Sequence, residues 1–554
     1  MTLREEAMAT LYRGGTIFDG HQHRGRGAVL VEGGRIVAVA TDTEGDAEAT
    51  VREAAAGPID VVDLDGGLLA PGFIDSHIHA GQGGLERIRC DLTQASSREG
   101  YLEVIRTYAA EHPDAEWILG GGWSMAEFPG GTPTAAELDQ VVSDRPVFFP
   151  NRDHHGAWVN SRALELAGVD ARTPDPSDGY AERDADGRPT GTLHEGAMEL
   201  VGRLVPPTTD EEYDRALMAA QTYLHSVGVT GWQDAILGDY AGITDPSQAY
   251  LRAARSGALV SQVVGALWWE RDQGVEQLPG LIERREKYAV GALRATTVKI
   301  MQDGVLENHT AALETPYLDR CGHATSNSGH SFVEAGALRE GVAALADAGF
   351  QVHVHAIGDR GVREALDAFE GARDRGPGDL RHHIAHLQVV HPDDVPRFAQ
   401  LGVAANMQAL WACYDDQMVE LTIPFLGEER AAWQYPFGDL HRVGAPLAMG
   451  SDWPVSPPQP LEAIHVAVNR TAYGVSGVGG ERPLLPEQAL PLEVAFSAYT
   501  AGSARVCHRD DAGVIRPGAV ADLVVFDRDP FAGPTGEIGA TQVRATWVAG
   551  QQVH

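Results

Sequence analysis

GLLAPGFIDSHIH, residues 67–79, decides the fold. An apolar run that ends in two histidines reads as a buried strand with a polar terminus. Side chains at i and i+2 of a strand project from one face, so His77 and His79 can act together. Four further runs repeat the arrangement. RATTVKI (294–300) carries Lys299, GFQVHVH (349–355) carries His355, RHHIAH (381–386) carries His386, and PLAMGSD (446–452) carries Asp452. A parallel barrel brings the C-terminal ends of its strands to one face, where such polar stations would meet.

Working outward, eight candidate barrel strands appear: LAPGFIDSHIH, GVTGWQDA, ALVSQVVGAL, RATTVKIMQDG, GFQVHVHAIGD, RHHIAHLQV, GVAANMQAL and APLAMGSDWPV. Helical segments precede several of them, LREGVAALADAG before the fifth for example. His355 and His386 are 31 residues apart, a normal strand-plus-helix unit. The pattern predicts an α/β fold, a (β/α)8 TIM-type barrel over residues 71–506. The gap between the first two strands is too long for one crossover, so an insertion is expected at about 90–215. Both chain ends alternate short strands and turns. Gly33-Gly34 between two β-branched runs reads as a hairpin, and ADLVVFDRDP with VRATWVAGQQVH closes the chain. Residues 1–70 and 507–554 are expected to pack together as a small β-sandwich.

Composition narrows the function. The 554 residues exceed one compact core. A formal charge of −35, with no basic run, argues against nucleic acid as a partner. No apolar window suits a membrane span, and MTLREEAMATLYRGG lacks the apolar segment of a secretory signal. Cys90, Cys321, Cys413 and Cys507 are scattered, read best as small hydrophobes rather than a disulfide framework. The expected location is cytoplasmic. A homodimer is the base-rate expectation for assembly.

Three neutral imidazoles with a carboxylate form a ligand set for a divalent transition metal. His77, His79, His355, His386 and Asp452 are the candidate ligands. Lys299 on an apolar strand is either a carboxylated, anionic ligand or the partner of a nearby acid such as Asp303. His353 shares a face with His355 and is expected to pack behind it. By strand parity His386 shares its face with His382; His382 and His383 are read as structural. Asp452 could both ligate and accept a proton. His155, in NRDHHGAWVNSRAL, is either a pocket residue that contacts a substrate carbonyl or a surface residue before a helix capped by Asn160 or Ser161. Trp123, Trp268, Trp269, Trp411 and Trp453 could line an apolar pocket, although core packing is their usual fate. No nucleophile elbow, phosphate loop or dinucleotide fingerprint is present.

PGFIDSHIH, RDHHGAWVNSRAL, VKIMQDG, VHAIGDRGV, IAHLQVV, GSDWPV and GVIRPGAVADLVVFDRDP together resemble the amidohydrolase superfamily. They are most similar to its amidohydrolase-3 branch, which includes N-substituted formamide deformylase-like proteins. The resemblance spans nearly the whole chain. It implies a metal-dependent hydrolase with ligands at His77, His79, carbamylated Lys299, His355, His386 and Asp452, and with Asp452 as the catalytic acid–base. It maps the substrate histidine onto His155, although HHG replaces the more usual single histidine. One or two divalent ions are implied, with zinc the first candidate. HAIGDRG lacks the glutamate that deaminases of the superfamily often carry three residues after this histidine. Its absence favours cleavage of an amide-type C–N bond, N-acyl or N-formyl, in a small molecule. Ester, lactone or carbamate hydrolysis at the same site is the alternative, and a catalytically silent binding or regulatory protein is the third reading.

Overall fold

The computed structural model describes residues 9–152, 154–240 and 244–554. The first eight residues of the opening stretch, and Asp153 in the RDHHGAW run, lie outside the described residues. Eight strands form the central sheet: Phe73–Ile78, Val229–Leu237, Gln262–Trp268, Leu293–Met301, Gln351–Ala356, His383–His386, Ala404–Met407 and Leu447–Met449. Each pairs in parallel with its sequence neighbour. Helices on the outside connect them, as a TIM-type barrel requires. Ala335–Asp347 shows why these segments are helical. Leu338, Val342, Leu345 and Ala346 form its buried stripe, and Glu334 caps the backbone N–H groups of Gly336 and Ala337.

The barrel closes without a continuous ladder between its first and last strands. The seam is held by Ser76 Oγ donating to the Met449 carbonyl (2.7 Å) and, just past the strand ends, by two backbone bonds. Asp452 N–H donates to His77 O and His79 N–H to Trp453 O, each at 2.8 Å. The approach is close enough that a Cβ on Gly450 would lie 2.5 Å from His77 N. Three of the polar stations therefore sit on the closure itself.

The interior is polar in layers. Gln233, Thr297 and Gln351 are hydrogen-bonded to one another at one level. His353, His383, Asn406 and Ser76 occupy the next, and the polar stations the top. The alternation of a strand produces this stacking: Thr297 and Lys299, or Gln351, His353 and His355, share a face.

Both chain ends contribute to one eight-stranded sheet. Ala9–Phe18, His23–Glu32 and Arg35–Thr41 from the N-terminal side join Leu523–Phe526, Val543–Val548 and Gln551–Gln552 through Leu68–Pro71, and Ile59–Asp63 pairs with Ala9–Phe18. The Gly33-Gly34 hairpin is present, with φ of 58° and 77°. Residues 67–79 thus serve two sheets, with only Gly72 between Leu68–Pro71 and the first barrel strand. The insertion forms a third sheet of six strands, from Cys90–Asp91 to Pro189–Glu195. Its expected end at 215 falls inside helix Asp210–Ser226, which already belongs to the barrel. No described helix is long and apolar enough to cross a membrane.

Candidate metal and active site

Every polar station lies at the C-terminal end of the barrel, and all six side chains line one cavity. Asp452 Oδ1 is 3.0 Å from His77 Nε2 and 2.9 Å from His79 Nε2. The three residues form a group able to hold a cation. His386 Nδ1 lies 3.8 Å from Asp452 Oδ2. The His386 ring centroid is 4.8 Å from that of His77 and 4.4 Å from that of His355. Lys299, 3% exposed, makes no ion pair or hydrogen bond through Nζ among the described residues.

Several of these atoms have no use without a further group. His77 Nε2, His386 Nδ1 and Asp452 Oδ1 are buried and lack hydrogen-bond partners. His77 Nε2 and Asp452 Oδ1 approach to 3.0 Å in the same buried space. A buried polar atom with no partner costs on the order of 1–3 kcal/mol, and a divalent cation held by His77, His79 and Asp452 would satisfy His77 Nε2 and Asp452 Oδ1 together. The donor set therefore fits a metal.

Neighbouring groups fix the ring orientations. His77 Nδ1 lies 2.8 Å from His353 Nε2, leaving Nε2 for the cavity. The His353 and His383 rings are 4.0 Å apart, and Asn406 Nδ2 donates to His383 Nδ1 at 3.2 Å. His355 Nε2 donates to the carbonyl of Gly304 at 3.3 Å, which leaves its other nitrogen as an acceptor. Trp411 stacks on His386, with ring planes 2° apart.

Electrostatics follow burial. Burial, with Lys299 nearby, pushes His77 down to about 3, and holds His355 and His386 well below the usual imidazole value. All three are neutral, as ligands must be. Burial disfavours the charge on Asp452, yet His77 and His79 hold it well below the usual carboxylate range. Burial lowers Lys299 to about 8.

Two alternatives raised by the sequence are resolved. Asp303 is not the partner of Lys299: its carboxylate accepts from the backbone N–H groups of Ile357, Gly358 and Ala312. The parity that grouped His386 with His382 fails. His386 has φ of 80°, which breaks the strand alternation at that residue. It enters the interior with His383, while His382 stacks on Phe369 of an outer helix.

The insertion delivers two more histidines. His154 Nε2 lies 3.0 Å from Glu86 Oε1, and His155 Nδ1 lies 2.9 Å from Glu195 Oε1. Asn308 Nδ2 donates to the His155 carbonyl, and Thr310 Oγ1 to Glu195. Both histidines line the cavity, and the following helix is capped by Asn160. Glu86 and Glu195 were not legible in the sequence, since each lies far from its histidine along the chain. Asp452, His386, His154 and Glu195 all adopt positive φ. Such strain, roughly 1–3 kcal/mol each, clusters where function over-determines the backbone.

A parallel barrel with a buried imidazole–carboxylate cluster at its C-terminal face has the site of a barrel enzyme able to hold a metal. Residues 60–554 match the model of the Amidohydrolase family, and the chain belongs to that family. It is 31% identical over 499 residues to the protein YtcJ of Bacillus subtilis (strain 168), covering 89% of this chain and 90% of that one. It is 29% identical over 542 residues to an N-substituted formamide deformylase of Arthrobacter pascens, covering 94% of each. Among solved structures it resembles an uncharacterized metal-dependent hydrolase from Pyrococcus horikoshii OT3, with a TM-score of 0.72 and 28% identity over 95% of this chain and 99% of that one. The chain is accordingly a hydrolase of this family.

Proposed function

We propose that this hydrolase cleaves an amide-type C–N bond, N-acyl or N-formyl, in a small molecule. The observation that carries the reading is the convergence of buried, unpartnered His77 Nε2, His386 Nδ1 and Asp452 Oδ1 in one cavity. His77, His79, His355, His386 and Asp452 would hold one or two divalent cations, zinc being the first candidate. Lys299 joins them once carboxylated: its amine is neutral far more often than an ordinary lysine's, so it can add carbon dioxide, release a proton and become an anionic ligand. When bound, the cation supplies Lewis acidity toward the scissile carbonyl and lowers the pKa of water toward about 7.

The chain's own residues do the rest. Asp452 accepts a proton from the attacking water and returns it to the leaving nitrogen, which departs only when protonated. His155, oriented by Glu195, contacts the substrate carbonyl. Similarity to a formamide deformylase and the missing glutamate after His355 support an amide over a heterocyclic amine.

Metal-reconstituted protein screened against N-formyl, N-acyl and cyclic amides with matched esters tests this. Metal-dependent turnover of an amide class is expected. Turnover of esters with none of the amides would transfer the activity to C–O bonds. No metal uptake and no turnover would favour a binding protein on this scaffold.

A further inference from the structure

The metal cavity does not end at the polar stations. Val305, Ile357, Trp411 and Val455 line both that cavity and a second chamber that continues behind Trp411. Leu410 and Met418 make part of its wall apolar, enough for a hydrophobic group of the substrate. Three charged side chains also face it: Glu307, Asp415 and Arg152.

The two acids are already engaged. Asp415 accepts from Met418 N at 2.6 Å, and Thr422 Oγ1 donates to Glu307 at 3.1 Å. Arg152 is different. Its backbone is pinned by a bond from its N–H to the Trp123 carbonyl (2.8 Å), and the neighbouring Asn151 is buried. Arg152 is half-buried, and its guanidinium makes no hydrogen bond or close ion pair among the described residues; it acts on Asp415 only through space. A guanidinium withdrawn from bulk water gains most from an anion, and its planar fork matches a carboxylate.

We infer that Arg152 is a specificity residue that binds a carboxylate on the substrate group filling the chamber behind Trp411. The substrate class is then an apolar-bodied amide with an anionic end. The inference builds on the proposed hydrolysis but is tested apart from it. Binding can be measured with carboxylates that undergo no reaction.

The test is isothermal titration of zinc-loaded protein with hydrocinnamate and with its neutral analogue, hydrocinnamamide. Hydrocinnamate is expected to bind the tighter. Arg152→Gln should weaken it roughly tenfold or more, as expected for removal of one charged partner, with hydrocinnamamide binding and zinc content unchanged. Arg152→Lys keeps the charge without the fork and should fall between the two. It also stands in if the glutamine variant does not fold. Equal hydrocinnamate affinity in wild type and variants would mean that the anion sits elsewhere, on the zinc for example, and would overturn the inference. So would absence of hydrocinnamate binding to the wild type. Arg152-dependent binding with no amide turnover would sink only the reaction assigned above.

Discussion

Lys299→Met should make the metal-free protein more stable while abolishing its activity. The side chain is 3% exposed, makes no ion pair, and is lowered from 10.5 to about 8 by burial. Because its folded pKa lies below its unfolded one, the folded chain must bury a charged amine at pH values below about 8, and gives up the proton on folding only above that value. The penalty is full below about pH 8, shrinks as pH rises, and disappears above the ordinary lysine value. The difference corresponds to about 3 kcal/mol at pH 7. Methionine has similar length and no charge to desolvate, so it removes the penalty. For a cooperative unit of this size the gain is a thermal midpoint about 3 °C higher. By about pH 9.5 the gain should fall below half of its neutral value. The assay is scanning calorimetry of chelated, bicarbonate-free wild type and variant at both pH values. A variant no more stable at pH 7, or a gain that persists undiminished at high pH, would refute the claim that Lys299 is held unpaired with its charge disfavoured by burial.

Three other predictions follow from the same geometry. Asp452→Asn keeps the shape of the site but removes the proton acceptor, and should lower kcat by roughly 10²–10⁴-fold; wild-type turnover would remove Asp452 from the chemistry. His353→Leu deletes the group that orients His77, and should weaken metal affinity about 10–100-fold in a competitive chelator titration; unchanged affinity would show that the His77 ring needs no support. His225, buried and hydrogen-bonded to Ser261 Oγ at 2.8 Å, is pushed down to about 4 by burial. Its folded pKa is depressed, so its contribution is intact above the ordinary imidazole value near 6.5 and is lost as pH falls from there through about 4. The loss is about 3 kcal/mol. His225→Gln should flatten the stability–pH curve over that window, and an unaltered slope would count against the assignment.

The barrel was legible because each of its strands is a short apolar run, and the polar stations interrupt those runs where the strands end. Residues 67–79 carried most of that information. The shared face of Lys299 and His355 with the barrel interior followed from strand alternation, while His79 and Asp452 were legible as polar residues just past the ends of apolar runs. His386 broke the rule: a positive φ at the strand end is a tertiary outcome with no local signature. The insertion's sheet was not legible, since its strands pair around loops of very different length, and no period in 90–215 encodes their order. The partners Glu86 and Glu195 needed the fold to bring distant residues together; His353 was expected behind His355, but its contact with His77 was not. Arg152 was unremarked because its significance lies in what does not touch it.

The site requires a cation among the side chains at the barrel mouth. Anomalous diffraction from a zinc-loaded crystal, recorded on both sides of the zinc edge, tests this most directly. The predicted result is a peak within bonding distance of His77 Nε2, His79 Nε2 and Asp452, with a second peak beside a carboxylated Lys299 if two ions bind. Absence of any peak in that cavity at saturating zinc would contradict the account.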